Sequence, residues 1–263
     1  MQLYDSHCHL NDEDFREDLV EVYQRALDVG VERMMVIACD LDSMRAIESF
    51  IEPWPKMRGA LGLHPQDAKY FDDSEVEALL FDVFSRAPKN RILALGEIGL
   101  DYYYENTERE IQKRVFRRQI EIAHELNLPI IIHDRDAHRD CLDILQGAKA
   151  DGLLRERAGV FHCYSGSPEM LRELFELGFY IGFDGPLTFK NSRRLPEVLA
   201  ACPLDRFLIE TDSPYLSPEP RRGRRNEPSH LIHIAAKIAE LRGLSLEAVA
   251  ERSYANTLSL WGD

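Results

Sequence analysis

The chain has 263 residues, 44% of them apolar, and carries 46 acidic against 32 basic side chains for a formal charge of −14. A field of that sign repels polyanions at long range, which disfavours a protein that coats nucleic acid but not an enzyme that grips one phosphodiester locally. No apolar run approaches the roughly 18 residues of a membrane span, and the start MQLYDSHCHL lacks the basic and apolar regions of a secretory leader, so a cytoplasmic protein is expected.

In chain order, short apolar runs read as strands at residues 3–5 (running into the HCH), 33–38, 57–63, 92–97, 129–133, 159–162, 179–183 and 207–210. Between them lie amphipathic stretches such as 15–29, 75–85, 107–126 and 170–177. Alternation of this kind, with no run of neighbouring strands, predicts a parallel sheet. Eight repeats predict closure into a (β/α)₈ TIM barrel, for which this length is ordinary. Two further helices, 230–242 and 246–261, end the chain. No repeat or flexible linker interrupts it, so residues 1–263 read as one domain. The five cysteines form no CxxC pair and suit reduced core positions better than disulfides or a thiolate zinc site.

Six potential metal ligands sit where those strands stop: His7 and His9, Glu97, His133, His162 and Asp212. They converge only if the strands lie parallel with their C-terminal ends together, as at the mouth of a barrel. Alternation along each strand places Leu93 and Leu95 beneath Glu97, Ile131 beneath His133 and Val160 beneath His162. A lone strand-end histidine is ordinarily structural, but four with two carboxylates are hard to explain that way. Imidazole and carboxylate donors without cysteine fit Zn²⁺, Mn²⁺, Co²⁺ or Ni²⁺ better than Ca²⁺, and Mg²⁺ stays among the candidates. Six side chains exceed one open catalytic site and suit two cations roughly 3.5–4 Å apart that share a carboxylate.

Glu97, on the fourth strand, is the natural bridge. Asp212 would join His7 and His9, and His133 would pair with His162 on the next strand. Such a centre activates water, so a hydrolase is expected, with Glu97 and Asp212 as catalytic residues and Asp212 able to take the water's proton. Glu210, one layer below Asp212, reads as its supporting neighbour.

Several residues are candidates for substrate contact. His64 ends the third strand in LGLHPQD, Arg135 follows His133, and Asp101 in GLDYYY orients a ligand or lines the site. Tyr102, Tyr103 and Tyr104 could stack on a base, although such clusters more often pack internally. In HCYSGSPE, Ser167 and Pro168 look like a helix start, and with Ser165 form a candidate phosphate seat. The segment SPYLSPEPRRGRRNEPS after the last strand is long, and its Arg221, Arg222, Arg224 and Arg225 must cross the same face of the barrel. Arg225 is the candidate phosphate contact among them. His124 and His138 read as exposed or structural.

Together DSHCHL, GLHP, GEIGLDYYY, IIHDRDA, HCYSGS, ETDSPYL and RRNEPSHL resemble the TatD family of metal-dependent deoxyribonucleases, in order from Asp5 to Glu227. The resemblance implies a TIM barrel in which His7, His9, Glu97 and Asp212 bind one ion and Glu97, His133 and His162 the other. It also implies DNA as substrate, at strand ends, with no obligate protein partner. An ester or amide hydrolase using the same centre, such as a D-aminoacyl-tRNA deacylase, is the alternative. A binding protein that has lost its activity should lack a ligand, and none is missing.

Overall fold

The computed structural model describes residues 1–71, 73–87, 89, 91–104 and 106–262. Among these, eight parallel strands pair in chain order: β1 (Leu3–Cys8), β2 (Val31–Ala38), β3 (Met57–Leu61), β4 (Ile92–Asp101), β5 (Ile130–Arg135), β6 (Gly159–Phe161), β7 (Phe179–Phe183) and β8 (Phe207–Ile209). Helices α1 (Leu19–Asp28), α2 (Leu41–Ile51), α3 (Asp73–Phe84), α4 (Arg109–Glu125), α5 (His138–Ala150), α6 (Leu171–Glu176) and α7 (Arg194–Ala201) connect them, and α8 (Leu231–Arg242) and α9 (Leu246–Trp261) follow. This is a TIM barrel with an additional C-terminal helix.

Strand alternation divides the core in two. Tyr4, Met35, Ile37, Ala60, Ala94, Ile131, Val160, Tyr180 and Leu208 fill the barrel, and Leu260 and Trp261 of α9 pack onto the same cluster. The larger cluster lies between strands and helices and includes Leu3, Met34, Val36, Leu95, Ile98 and Phe161. The end of α9 therefore contributes to the barrel interior. Its Ser245 N-cap accepts the Ala248 N–H at 3.1 Å, and Asn256 donates to the carbonyls of Leu204 and Phe207 beside β8.

The seam between β1 and β8 has no ladder among the described residues. Side chains and two terminal backbone bonds join it. Thr211 donates its N–H and hydroxyl to the two carboxylate oxygens of Asp5, at 2.9 and 2.6 Å, and the Ser6 hydroxyl reaches the Ile209 carbonyl at 3.1 Å. At the mouth, Asp212 N–H donates to the His7 carbonyl and His9 N–H to the Ser213 carbonyl. These bonds bring Asp212 beside the two histidines.

The structure corrects the sequence expectations at three points. Glu97 does not end its strand, because β4 continues to Asp101, and β5 runs two residues past His133. Leu95 does not lie under Glu97: it faces the helices, and Ala94 faces the interior. The physical cause is a register break, since the three steps from Leu95 to Ile98 oppose two from Ile130 to Ile132. An equivalent break in β1 sets Asp5 to Cys8 against Met34 to Val36. Finally, the stretch 15–29 is not continuous helix: a 3₁₀ turn, Glu13–Phe15, precedes α1.

Candidate metal centre

All six expected ligands meet at the C-terminal mouth. His7, Glu97, His162 and Asp212 are buried, and His9 and His133 nearly so. His7 Nε2 and His9 Nε2 are 3.2 Å apart, and Glu97 Oε2 lies 3.3 and 3.8 Å from them. Asp212 Oδ1 is 3.6 Å from His7 Nε2 and 3.5 Å from His9 Nε2. Two donors on one tetrahedral zinc, each at about 2.0–2.1 Å, would be about 3.3 Å apart. The separations in this half therefore match the edges of a single coordination shell, and the residues fit a cation.

The other oxygen of Glu97 serves the second half. Oε1 lies 2.5 Å from His133 Nδ1 and 2.9 Å from His162 Nε2. The rings of His7 and His162 stack across the two halves with centroids 3.9 Å apart. The register breaks in β1 and β4 are what turn His7 and Glu97 toward this point, because strict alternation from Asp5 and Leu95 would send both outward. Close strand approach is also needed. A Cβ on Gly99 would sit 2.0 Å from the His133 carbonyl oxygen, so glycine alone permits β4 and β5 to lie as they do.

Neighbouring carboxylates aim the rings. Asp101 Oδ2 is 3.2 Å from His133 Nε2, so the ring spans two carboxylates, Asp101 on one side and Glu97 on the other. Glu210 accepts the Cys163 N–H at 2.6 Å and the Ser6 hydroxyl at 3.0 Å, and lies 3.7 Å from His162 Nδ1. It supports the centre from below, as its strand position indicated.

Electrostatics keep the carboxylates ionised. Burial pushes Glu97 upward, but the charge on His162 and hydrogen bonds from His133, His162 and His7 outweigh it and hold the carboxyl well below its ordinary range. Asp212 is also lowered: burial is opposed by the His9 hydrogen bond and by the charges of His162, His7 and His9. His64 goes the other way. Burial, reinforced by His133, lowers its pKa to about 3, so the ring is neutral. Its Nδ1 accepts the Gln66 N–H at 3.2 Å, which leaves the proton on Nε2, 3.7 Å from Glu97 Oε1.

The remaining candidates divide. His64 joins the centre. Arg135 is exposed at the end of β5, and Ser165 is exposed on the same rim with its hydroxyl 3.4 Å from the Asp134 carbonyl. Ser167 heads only a three-residue 3₁₀ turn and makes no side-chain cap. Arg225 is committed elsewhere. Its guanidinium pairs with Asp18 at 2.6 and 2.8 Å, donates to the Asp14 carbonyl and lies 4.7 Å over Phe15. Arg222 stacks on Phe189 at 3.8 Å. His138 is structural, held by Asp134 at 2.8 Å.

Sequence reasoning missed Asn226, whose amide bonds the carbonyls of Thr211 and Tyr215 at 2.7 Å and ties the long last loop to the Asp212 turn. It also missed Asp184 at the end of β7. That carboxyl is buried, and burial with the charges of Glu210 and Asp212 raises its pKa well above the ordinary range. An asparagine in a charge-rich loop and an acid after an apolar run carry no periodic signal.

Residues 4–262 match the family described as TatD related DNase. The chain is 42% identical to the uncharacterized metal-dependent hydrolase YabD of Bacillus subtilis (strain 168), over 98% of each chain. It is 32% identical, over 99% of each, to a Citrobacter koseri protein named 3'-5' ssDNA/RNA exonuclease TatD. The structure of YJJV, a TatD homolog from Escherichia coli K12, superposes with a TM-score of 0.91 at 29% identity, covering 99% of this chain and 98% of that one. The chain belongs to the TatD related DNase family and is a metal-dependent hydrolase. No helix among the described residues is long and apolar enough to cross a membrane.

Proposed function

We propose that this family member hydrolyses phosphodiester bonds of DNA from a strand end, with two divalent cations that share Glu97. The observation carrying the proposal is the split of that carboxylate, with Oε2 turned to His7 and His9 and Oε1 to His133 and His162. On this basis His7, His9, Asp212 and Glu97 would hold one ion, and Glu97, His133 and His162 the other. When bound, such a pair acidifies a water and neutralises charge on the attacked and departing oxygens.

The chain's own groups do the rest. Asp212 turns Oδ1 to the histidines, and its second oxygen takes the water's proton. His64 presents an Nε2–H to a phosphate oxygen. Arg135 and Ser165, exposed on the rim, bind the phosphate locally, as a chain of net charge −14 requires. The Citrobacter relative's name supports a single-stranded nucleic acid as substrate.

The test is a substrate panel with metal-reconstituted protein: single- and double-stranded DNA, RNA and a D-aminoacyl-tRNA, each with and without chelator. Oligonucleotides labelled at either end report the direction of attack. Metal-dependent shortening of single-stranded DNA is expected. Deacylation of the tRNA with every polynucleotide intact would replace this proposal with the ester-hydrolase one.

A further inference from the structure

Tyr103 and Tyr104 stand out on the mouth of the barrel because they are 57% and 43% exposed yet held in place. Their rings meet edge to face, with centroids 4.8 Å apart and planes at 86°. The orientation comes from the backbone. Asp101 Oδ1 accepts the N–H groups of Tyr103 and Tyr104 at 2.9 and 3.1 Å, while its Oδ2 reaches His133 Nε2. One carboxylate thus sets both a ligand of the centre and the two exposed rings.

Arg135 completes the arrangement. It is two residues beyond His133, pairs with Asp101 in the β4–β5 ladder, and accepts the Tyr102 N–H on its carbonyl at 2.9 Å. Its guanidinium lies 3.9 Å over the Tyr103 ring and 5.0 Å from that of Tyr104. Among the described residues no carboxylate pairs with it, unlike Arg225 with Asp18. Tyr102 makes the contrast: it is half-buried and its hydroxyl bonds Asp140 at 2.6 Å, so it is used in packing. Two exposed rings, with a guanidinium stacked on one of them that no described carboxylate neutralises, match the stacking and phosphate elements that bind single strands.

We propose that Tyr103, Tyr104 and Arg135 form a nucleobase-stacking subsite that holds the base beside the scissile phosphate of a single-stranded polynucleotide. This rests on the phosphodiesterase assignment above. The centre handles the phosphate, which every nucleotide has, and the tyrosines add affinity for the base without reading its identity. Stacking contributes on the order of 5- to 100-fold in binding per base.

The experiment is steady-state hydrolysis of two short single-stranded oligodeoxynucleotides by metal-reconstituted protein. One has normal bases, and the other has tetrahydrofuran abasic residues at the two terminal positions of each end. The Tyr103→Ala, Tyr104→Ala double variant should raise KM at least fivefold on the first, leave KM unchanged on the second, and keep kcat within about twofold. The corresponding double Phe variant should behave as wild type, and a thermal melt checks the fold of each. Arg135→Gln should raise KM on both substrates and flatten the salt dependence. If wild type cleaves DNA and the double Ala variant matches it on both substrates, the subsite is refuted while the nuclease assignment stands. If wild type cleaves neither oligonucleotide, the assignment fails and the subsite with it.

Discussion

Asp5 and Thr211 lie 206 positions apart in sequence and fully buried, and they bind each other through two hydrogen bonds across the barrel's seam. β1 and β8 share no ladder there, so this pair stands in for part of the missing strand pairing. It also fixes the turn that carries Asp212.

Removing the acceptor should therefore cost more than a typical point substitution. Asp5→Ala leaves the Thr211 N–H and hydroxyl buried without their partner, a penalty of about 2–4 kcal/mol. Asp5→Asn keeps one oxygen and should lose less. Urea unfolding of the three proteins measures this, and a loss below about 1 kcal/mol for Asp5→Ala would mean that the seam is held elsewhere.

Glu97 faces both halves of the centre, whereas His162 borders mainly the second through Oε1. Glu97→Ala should thus bind less metal than His162→Ala, with retention of roughly half the wild-type content in the histidine variant. Metal analysis of the purified proteins by mass spectrometry decides it. Equal, near-complete retention in both would rule out a shared ligand.

Arg225 is expected to matter for stability and not for substrate. Its pairing with Asp18 is partly exposed, so Arg225→Ser should lower stability by at most about 1 kcal/mol and leave KM for a single-stranded oligonucleotide unchanged. A several-fold rise in KM with unaltered stability would return the residue to the substrate.

That case shows where the sequence stops being legible. The six candidate ligands were visible because each follows an apolar run, and the barrel was visible because the runs alternate with helical stretches. Arginine clusters have no such signature: whether Arg225 meets a phosphate or Asp18 depends on how 213–229 folds across the mouth. Periodicity also misplaced Leu95, since counting back from Glu97 crosses the extra step between Leu95 and Ile98 and inverts the parity. Glu97 still reaches both halves of the candidate centre, because it was placed by strand order and not by counting.

Burial lowers the pKa of His230 to about 4, only partly offset by Glu227, and its Nδ1 lies 3.0 Å from Asn226 Oδ1. The folded pKa is below that of the unfolded chain, so the unfolded state binds the proton first. The contribution of this residue is complete above about pH 6.5 and declines as pH falls toward 4. Urea midpoints at pH 7 and 5 for wild type and His230→Gln report it, because the histidines of the metal centre are common to both. A gap between the two proteins that does not change with pH would contradict the assignment.

The register breaks beside His7 and Glu97 set a limit on any redesign of this barrel. Pairing β4 with β5 in unbroken register from Leu95, or β1 with β2 from Asp5, would give uniform alternation across these points. The wall would be more regular, yet Glu97 or His7 would then face the surrounding helices. Regularity and chemistry are opposed at these two positions. A sequence optimised purely for strand pairing would drift toward a well-packed cylinder with an inert mouth.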